Sequence, residues 1–224
     1  MAYILNIETA TKNCSVSIAK DGETVICKEI AEQGYSHAEK LHVFISEVLK
    51  EAKIDFSDLT AIAVSQGPGS YTGLRIGVSA AKGLCYALNI PLIAVDTLEI
   101  LASEISVENG GVIIPMIDAR RMEVYSAIFS SDISKIRDTK AEIIDEESFS
   151  EITETIHFVG DGALKCQEIL SSDKFVYHPE IIFPSAKQMS ALSFEKHKKN
   201  DTVDVAYFEP FYLKDFLVLT KRQS

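Results

Sequence analysis

Short apolar runs punctuate the chain, and their period shifts between two and 3.6 residues. Tyr3–Ile7 is a continuous apolar run of strand length, and Cys14–Ala19 alternates as a half-buried strand does. Asp21-Gly22 signals a tight hairpin, and Thr24–Ile30 returns, so the opening predicts a three-stranded antiparallel meander. Ser36-His37-Ala38-Glu39 has the form of a capping box. Behind it Leu41, Phe44, Ile45, Val48, Leu49 and Ala52 recur at helical spacing, with His42, Glu47, Lys50 and Glu51 on the other side. Ala61–Val64 predicts a buried strand, and the loop Gly67–Gly73 leads into a second helix rich in small residues, Gly77, Ala80, Ala81 and Gly83. Leu92–Val95 predicts a strand and Thr97–Ile105 a short helix, which completes the order β-β-β-α-β-α-β-α.

After the turn cluster Asn109-Gly110-Gly111 the pattern restarts. Val112–Ile117 is an apolar run ending in Asp118, as Tyr3–Ile7 ends in Glu8, and Glu123–Ile128 alternates like Cys14–Ala19. Ala141–Ile144 is the candidate third strand, Ser148–Thr155 a candidate helix, Ile156–Val159 a strand entering Gly160-Asp161-Gly162, and Ala163–Leu170 a helix. The repeat predicts two related α/β domains, residues 1–108 and 109–224.

Composition narrows the function. The 224 residues are 46% hydrophobic and 25% charged, which fits a globular chain. Lys+Arg 22 against Asp+Glu 33 leaves a net charge of −11, which repels phosphate backbones, so any contact with RNA needs a local basic patch or a complex. The apolar stretch Gly83–Val95 is interrupted by Asn89 and Pro91 and is too short to span a bilayer. The start lacks a basic segment and a long apolar core, so no secretory leader is expected. Cys14, Cys27, Cys85 and Cys166 are scattered without a CxxC pair, which predicts reduced thiols and a cytoplasmic location.

The chemistry-bearing candidates are few. Gly67-Pro68-Gly69-Ser70-Tyr71-Thr72-Gly73 joins a strand to a helix and offers hydroxyls and backbone N–H groups to an anion. It is neither a Walker A loop nor GxGxxG, and glycine serves close packing as readily as phosphate binding. Glu8 and Asp118 end strands where a carboxylate can hold Mg²⁺ or orient water, or merely cap its own turn. Thr9 and Thr11 could bond phosphate or backbone, and Asp118 could form an ion pair with Arg120 or Arg121. His37 and His42, five apart, diverge on a helix and are expected at the surface or an interface. No nucleophile elbow or Cys/His pairing supports a hydrolase triad, so a peptidase has little support.

Three blocks together resemble the bacterial TsaB family, also called YeaZ: Ile4-Leu5-Asn6-Ile7-Glu8-Thr9-Ala10-Thr11, Gly67–Gly77 (GPGSYTGLRIG) and Ile117–Tyr125 (IDARRMEVY). Weaker matches are Gly160–Ala163 and Glu209–Lys214. The resemblance implies the actin-like/Hsp70-like/sugar-kinase (RNase H-like) fold. It also implies a non-catalytic subunit of the machinery that puts threonylcarbamoyl on adenosine beside the tRNA anticodon. Its partners would be a catalytic TsaD-like paralogue and a TsaE-like ATPase, with TsaC acting in the same modification. A homodimer is expected when the partner is missing, and tRNA contact only through the complex. The catalytic relative carries a pair of metal-binding histidines where this chain has Thr97 and Leu101, so no metal is expected. Glu8-Thr9-Ala10 replaces the Asp-x-Gly phosphate turn of active kinases. Glu8, Thr9, Gly67, Gly69, Ser70, Thr72 and Gly73 are therefore candidates for a vestigial phosphate site. No cofactor of the chain's own is implied, with ATP or ADP admitted only at a subunit boundary. In the family the first two helices meet the partner, which marks Leu41, Ile45, Val48, Gly73, Arg75, Gly77, Ala80 and Ala81 as partner-binding candidates, unless that face packs on its own sheet. An ATP-dependent small-molecule kinase or ATPase of the same fold is the alternative.

Overall fold

The apolar runs pair into two five-stranded sheets in the computed structural model, which describes residues 1–31, 37–107 and 110–213. In the first, β1 (Tyr3–Glu8), β2 (Cys14–Lys20) and β3 (Glu23–Ile30) form the meander. β4 (Leu59–Ser65) and β5 (Leu92–Val95) add on in parallel to give the order β3-β2-β1-β4-β5. The second sheet repeats this with β6 (Val112–Asp118), β7 (Glu123–Ser130), β8 (Lys135–Ile143), β9 (Ile156–Val159) and β10 (Phe175–Tyr177), in the order β10-β9-β6-β7-β8. β6 pairs antiparallel with β7 and parallel with β9, as β1 does with β2 and β4. This is the α/β topology of the actin-like, RNase H-like fold.

Period-two alternation gives each sheet two apolar faces. On the first, Leu5, Ile7, Val16, Ile18, Ile62 and Val64 pack against α1 (His37–Ala52) and α2 (Tyr71–Leu88). Ile4, Ala19, Ala61, Ala63 and Ile93 line the opposite face. On the second, Ile114, Met116, Ile156 and Phe158 join α4 (Asp161–Cys166) through Ala163 and Cys166.

The remaining helices cross over. α3 (Thr97–Ala102) follows the last strand of the first sheet, yet Leu98, Leu101 and Ala102 pack on Ile113, Ile117 and Phe129 of the second. α5 (Met189–Lys198) follows the second sheet, yet Met189 packs on the first sheet's free face. Hydroxyls pin the segment leading into α5: Ser17 Oγ donates to Ala186 O at 2.7 Å, and Ser15 Oγ accepts from Ala186 N at 3.0 Å. The first sheet's strands end at Val95 and the second's begin at Val112, whereas these two helices do not respect that division.

Several elements differ from the sequence expectations. Ser148–Thr155 is a chain of turns, because Phe149 takes a φ of 63° that no α-helix contains and turns its ring to Phe158 at 5.8 Å. The third strand of the second half starts at Lys135, six residues early, on polar edge positions that carry no alternation signal. α3 and α4 end at Ala102 and Cys166, earlier than expected, and the three-residue β10 was not foreseen. Ser36 of the capping box and Asn109 of the turn cluster lie outside the described residues.

Met189 is fully buried beneath the first sheet. Met189→Ala should cost about 3 kcal/mol in urea unfolding. Amide exchange should show β1 and β9 losing protection together. Loss confined to the first sheet would mean that the halves unfold separately.

Candidate functional site

The site is built around the contact between the β1–β2 turn and the start of α2. Ser70 N donates to Ala10 O at 2.6 Å, and Thr9 Oγ1 donates to Gly73 O at 2.8 Å. Ser70 also caps its own helix, accepting from Gly73 N at 3.3 Å. A Cβ on Gly69 would stand 2.3 Å from Ala10 O, and one on Gly73 would stand 2.1 Å from Thr9 O. Gly77 continues the same contact against the Thr9 hydroxyl. The glycines thus bring backbone against backbone, and no gap for a phosphate remains between the two segments. The amides of Ser70 and Gly73, which could have received an anion, already donate to the protein.

Glu8 is fully buried and does not line the cleft described below. Its Oε1 accepts from Ala10 N, and Ser65 lies beside the carboxyl, while Oε2 meets no hydrogen-bond geometry among the described residues. Loss of hydration pushes its pKa up to about 8, and the nearby Glu104, itself raised to about 8 by burial, adds to the effect. A neutral, sealed carboxyl neither binds Mg²⁺ nor activates water. His37, expected at a surface, is also fully buried, with Nε2 2.7 Å from Thr11 O.

Beside this contact a cleft of about 760 Å³ opens between the two sheets. Of the seven phosphate candidates, Gly69, Ser70 and Thr72 line it, whereas Glu8, Thr9, Gly67 and Gly73 do not. The facing wall carries Asp118, Arg120, Arg121 and Asp161. Asp118 does not pair with the arginines that follow it: its carboxylate holds Lys165 and the Arg120 amide. Asp161 accepts from Asp118 N at 2.9 Å, and burial raises its pKa. Tyr212 closes one end, its ring 5.0 Å from that of Tyr71, over which Arg75 lies at 4.7 Å. Sequence reasoning singled out Asp118 but missed Lys12, Tyr125 and Asp161 as wall residues; the weak match at Glu209–Lys214 was the one sign that Phe211 and Tyr212 approach the site.

The partner-surface candidates divide the same way. Leu41, Ile45 and Val48 face the sheet and are buried, as are Ala81, Gly73 and Gly77. Their side chains are therefore closed to a partner, and among the eight only Arg75 is exposed and Ala80 partly so. The outward sides of the helices carry Val43, Gly83 and Tyr86 instead, Tyr86 at 86% exposure and Gly83 with open space before it. Thr97 and Leu101 are core residues, Thr97 accepting from Gly67 N and Leu101 packed on the second sheet. Among the described residues no group of three or more His, Cys, Asp or Glu is placed to hold a metal, and no helix is long and apolar enough to cross a membrane.

A family model described as TsaD, tRNA N6-adenosine threonylcarbamoyltransferase, matches residues 25–216. The tRNA threonylcarbamoyladenosine biosynthesis protein TsaB of Escherichia coli K12 is 30% identical over 95% of this chain and 94% of its own. The chain belongs to the TsaB family. A solved structure of YeaZ from Pseudomonas aeruginosa superposes with a TM-score of 0.79 at 25% identity, covering 95% of this chain and all of that one. The match to one transferase sequence is shorter than the family model's. The enzyme of Bacillus thuringiensis strain Al Hakam is 39% identical over 41% of this chain and 31% of its own. Within the TsaB family, then, this chain combines the fold with a closed phosphate turn.

Two measurements probe the site. Gly73→Ala forces a methyl into the Thr9 carbonyl and should cost about 2–3 kcal/mol of stability in urea titration. Glu8 holds its proton in the fold more tightly than in the unfolded chain, so its stabilising share is full below pH 4.5 and is lost as pH rises towards 8. Glu8→Gln should flatten the fall in melting temperature across that interval. An unchanged slope would place the effect elsewhere.

Proposed function

We propose that the chain is a non-catalytic subunit in tRNA threonylcarbamoyladenosine formation, the partner and activator of a TsaD-like relative. The carrying observation is the closed contact between Thr9-Ala10 and Gly69–Gly73, which leaves no phosphate gap beside a neutral Glu8. Family membership supplies the pathway, and the small and apolar residues on the outward sides of α1 and α2 supply a surface for the relative. On this reading the chain is cytoplasmic, has no cofactor of its own, and any ATP or ADP sits at the boundary between subunits. A TsaE-like ATPase joins the assembly, tRNA is reached through the complex, and two copies pair through the same helices when the relative is missing.

Reconstituted tRNA modification should need both this chain and its cognate TsaD-like relative. Sedimentation of the mixture should show a complex that Tyr86→Asp weakens at least tenfold without lowering the melting temperature. ATP turnover by the isolated chain, with modification proceeding in its absence, would favour the kinase or ATPase alternative.

A further inference from the structure

The turn between β6 and β7 carries two adjacent arginines at the cleft. Arg120 and Arg121 take φ of 73° and 53°, a left-handed conformation that asparagine and glycine adopt far more readily. Nothing in the turn's own packing calls for arginine: both are exposed, and neither forms an ion pair among the described residues. The nearest acid in sequence, Asp118, is held by Lys165. Lys12 lines the same cleft from the β1–β2 turn, and the hydroxyls of Ser70 and Thr72 line it from the start of α2. The acids of this cleft are Asp118, Asp161 and Glu123; Asp161 lies within the field of Lys12 and accepts the Asp118 amide.

Against a chain charge of −11, guanidinium groups without an ion pair among the described residues make a local exception, at one mouth, to the repulsion of polyanions. The cleft floor is closed to a triphosphate by the Thr9–Gly73 contact, whereas the rim is open to a backbone running across it. We infer that Arg120 and Arg121, with Lys12 opposite, form a contact site for the phosphodiester backbone of tRNA, so that this subunit touches the RNA directly. The inference rests on the role in tRNA modification proposed above. Phosphate contacts of this kind position an RNA without reading its sequence.

Arg120→Asn with Arg121→Gly removes both charges and suits the left-handed turn better than the native pair. The test measures labelled tRNA binding to the mixture of this chain and its cognate TsaD-like relative over a salt series. The double variant should bind at least tenfold more weakly. Its dependence of log K on log salt should be shallower by about 1.5, roughly 0.7–0.9 for each lost phosphate contact. Its melting temperature should equal or exceed that of the native chain, and Arg120→Lys with Arg121→Lys should retain most of the binding. Unchanged affinity and slope in the double variant, while the native mixture modifies tRNA, would overturn this inference alone. Loss of Mg-ATP binding with tRNA binding intact would also overturn it, making the arginines part of a nucleotide pocket. A native mixture that neither binds nor modifies tRNA would instead overturn the proposed function.

Discussion

The start of α2 lies so close to the β1–β2 turn that backbone meets backbone, and much else in the molecule is arranged around that approach. Ala10 O receives Ser70 N, and Thr9 bridges to Gly73 O. A side chain at position 69 or 73 would collide with a carbonyl rather than with something that can rotate away. The contact seals the end of β1, so Glu8 lies in the interior with its proton. It also fixes one wall of the cleft and sets Ser70 and Thr72 along it. A loop that by composition suits a phosphate is here a clasp between the β1–β2 turn and the start of α2.

β1 to β7 and β9 were legible because they are apolar runs or alternating segments, and the same signal exposed the repeat of Tyr3–Glu8 and Cys14–Lys20 in Val112–Asp118 and Glu123–Ser130; the polar edge strand β8 and the short β10 carry little of it. What the glycines are for was not legible. Gly69 and Gly73 have the same letter whether they admit a ligand or another strand of backbone, and only the distance to Ala10 and Thr9 separates the two. The stripe Leu41, Ile45, Val48 announced a helix with an apolar side but not what that side meets; the sheet meets it, and the exposed side was left to Val43 and Tyr86. α5 gave little warning of its destination, because Met189, Ser190 and Ser193 are its buried residues and two of them are polar. His37 stands one turn before Leu41 on the same buried stripe as Ile45 and Val48, but its polar, titratable side chain reads as a surface residue.

Charge and geometry separate the roles of the cleft from those of the helices. The helices present small and apolar groups, which suits a protein surface, while the turn at Arg120 and Arg121 presents cations, which suits an anion. The two surfaces lie on different elements and can be altered one at a time. Neither requires a reactive group in this chain, in keeping with a carboxyl that is neutral and out of reach of solvent.

The crossing of α3 and α5 sets how the molecule can be divided. α5 follows the second sheet and covers the first, and α3 follows the first and packs on both, Ile100 on its own sheet and Leu98, Leu101 and Ala102 on the other. Cutting the backbone at the border between the sheets would strip both pieces of a cover and leave Ile4, Ala61 and Ile93 on one, and Ile113 and Phe129 on the other, facing water. The border is therefore one of strand pairing only, and mechanically the chain is a single body tied by reciprocal loans.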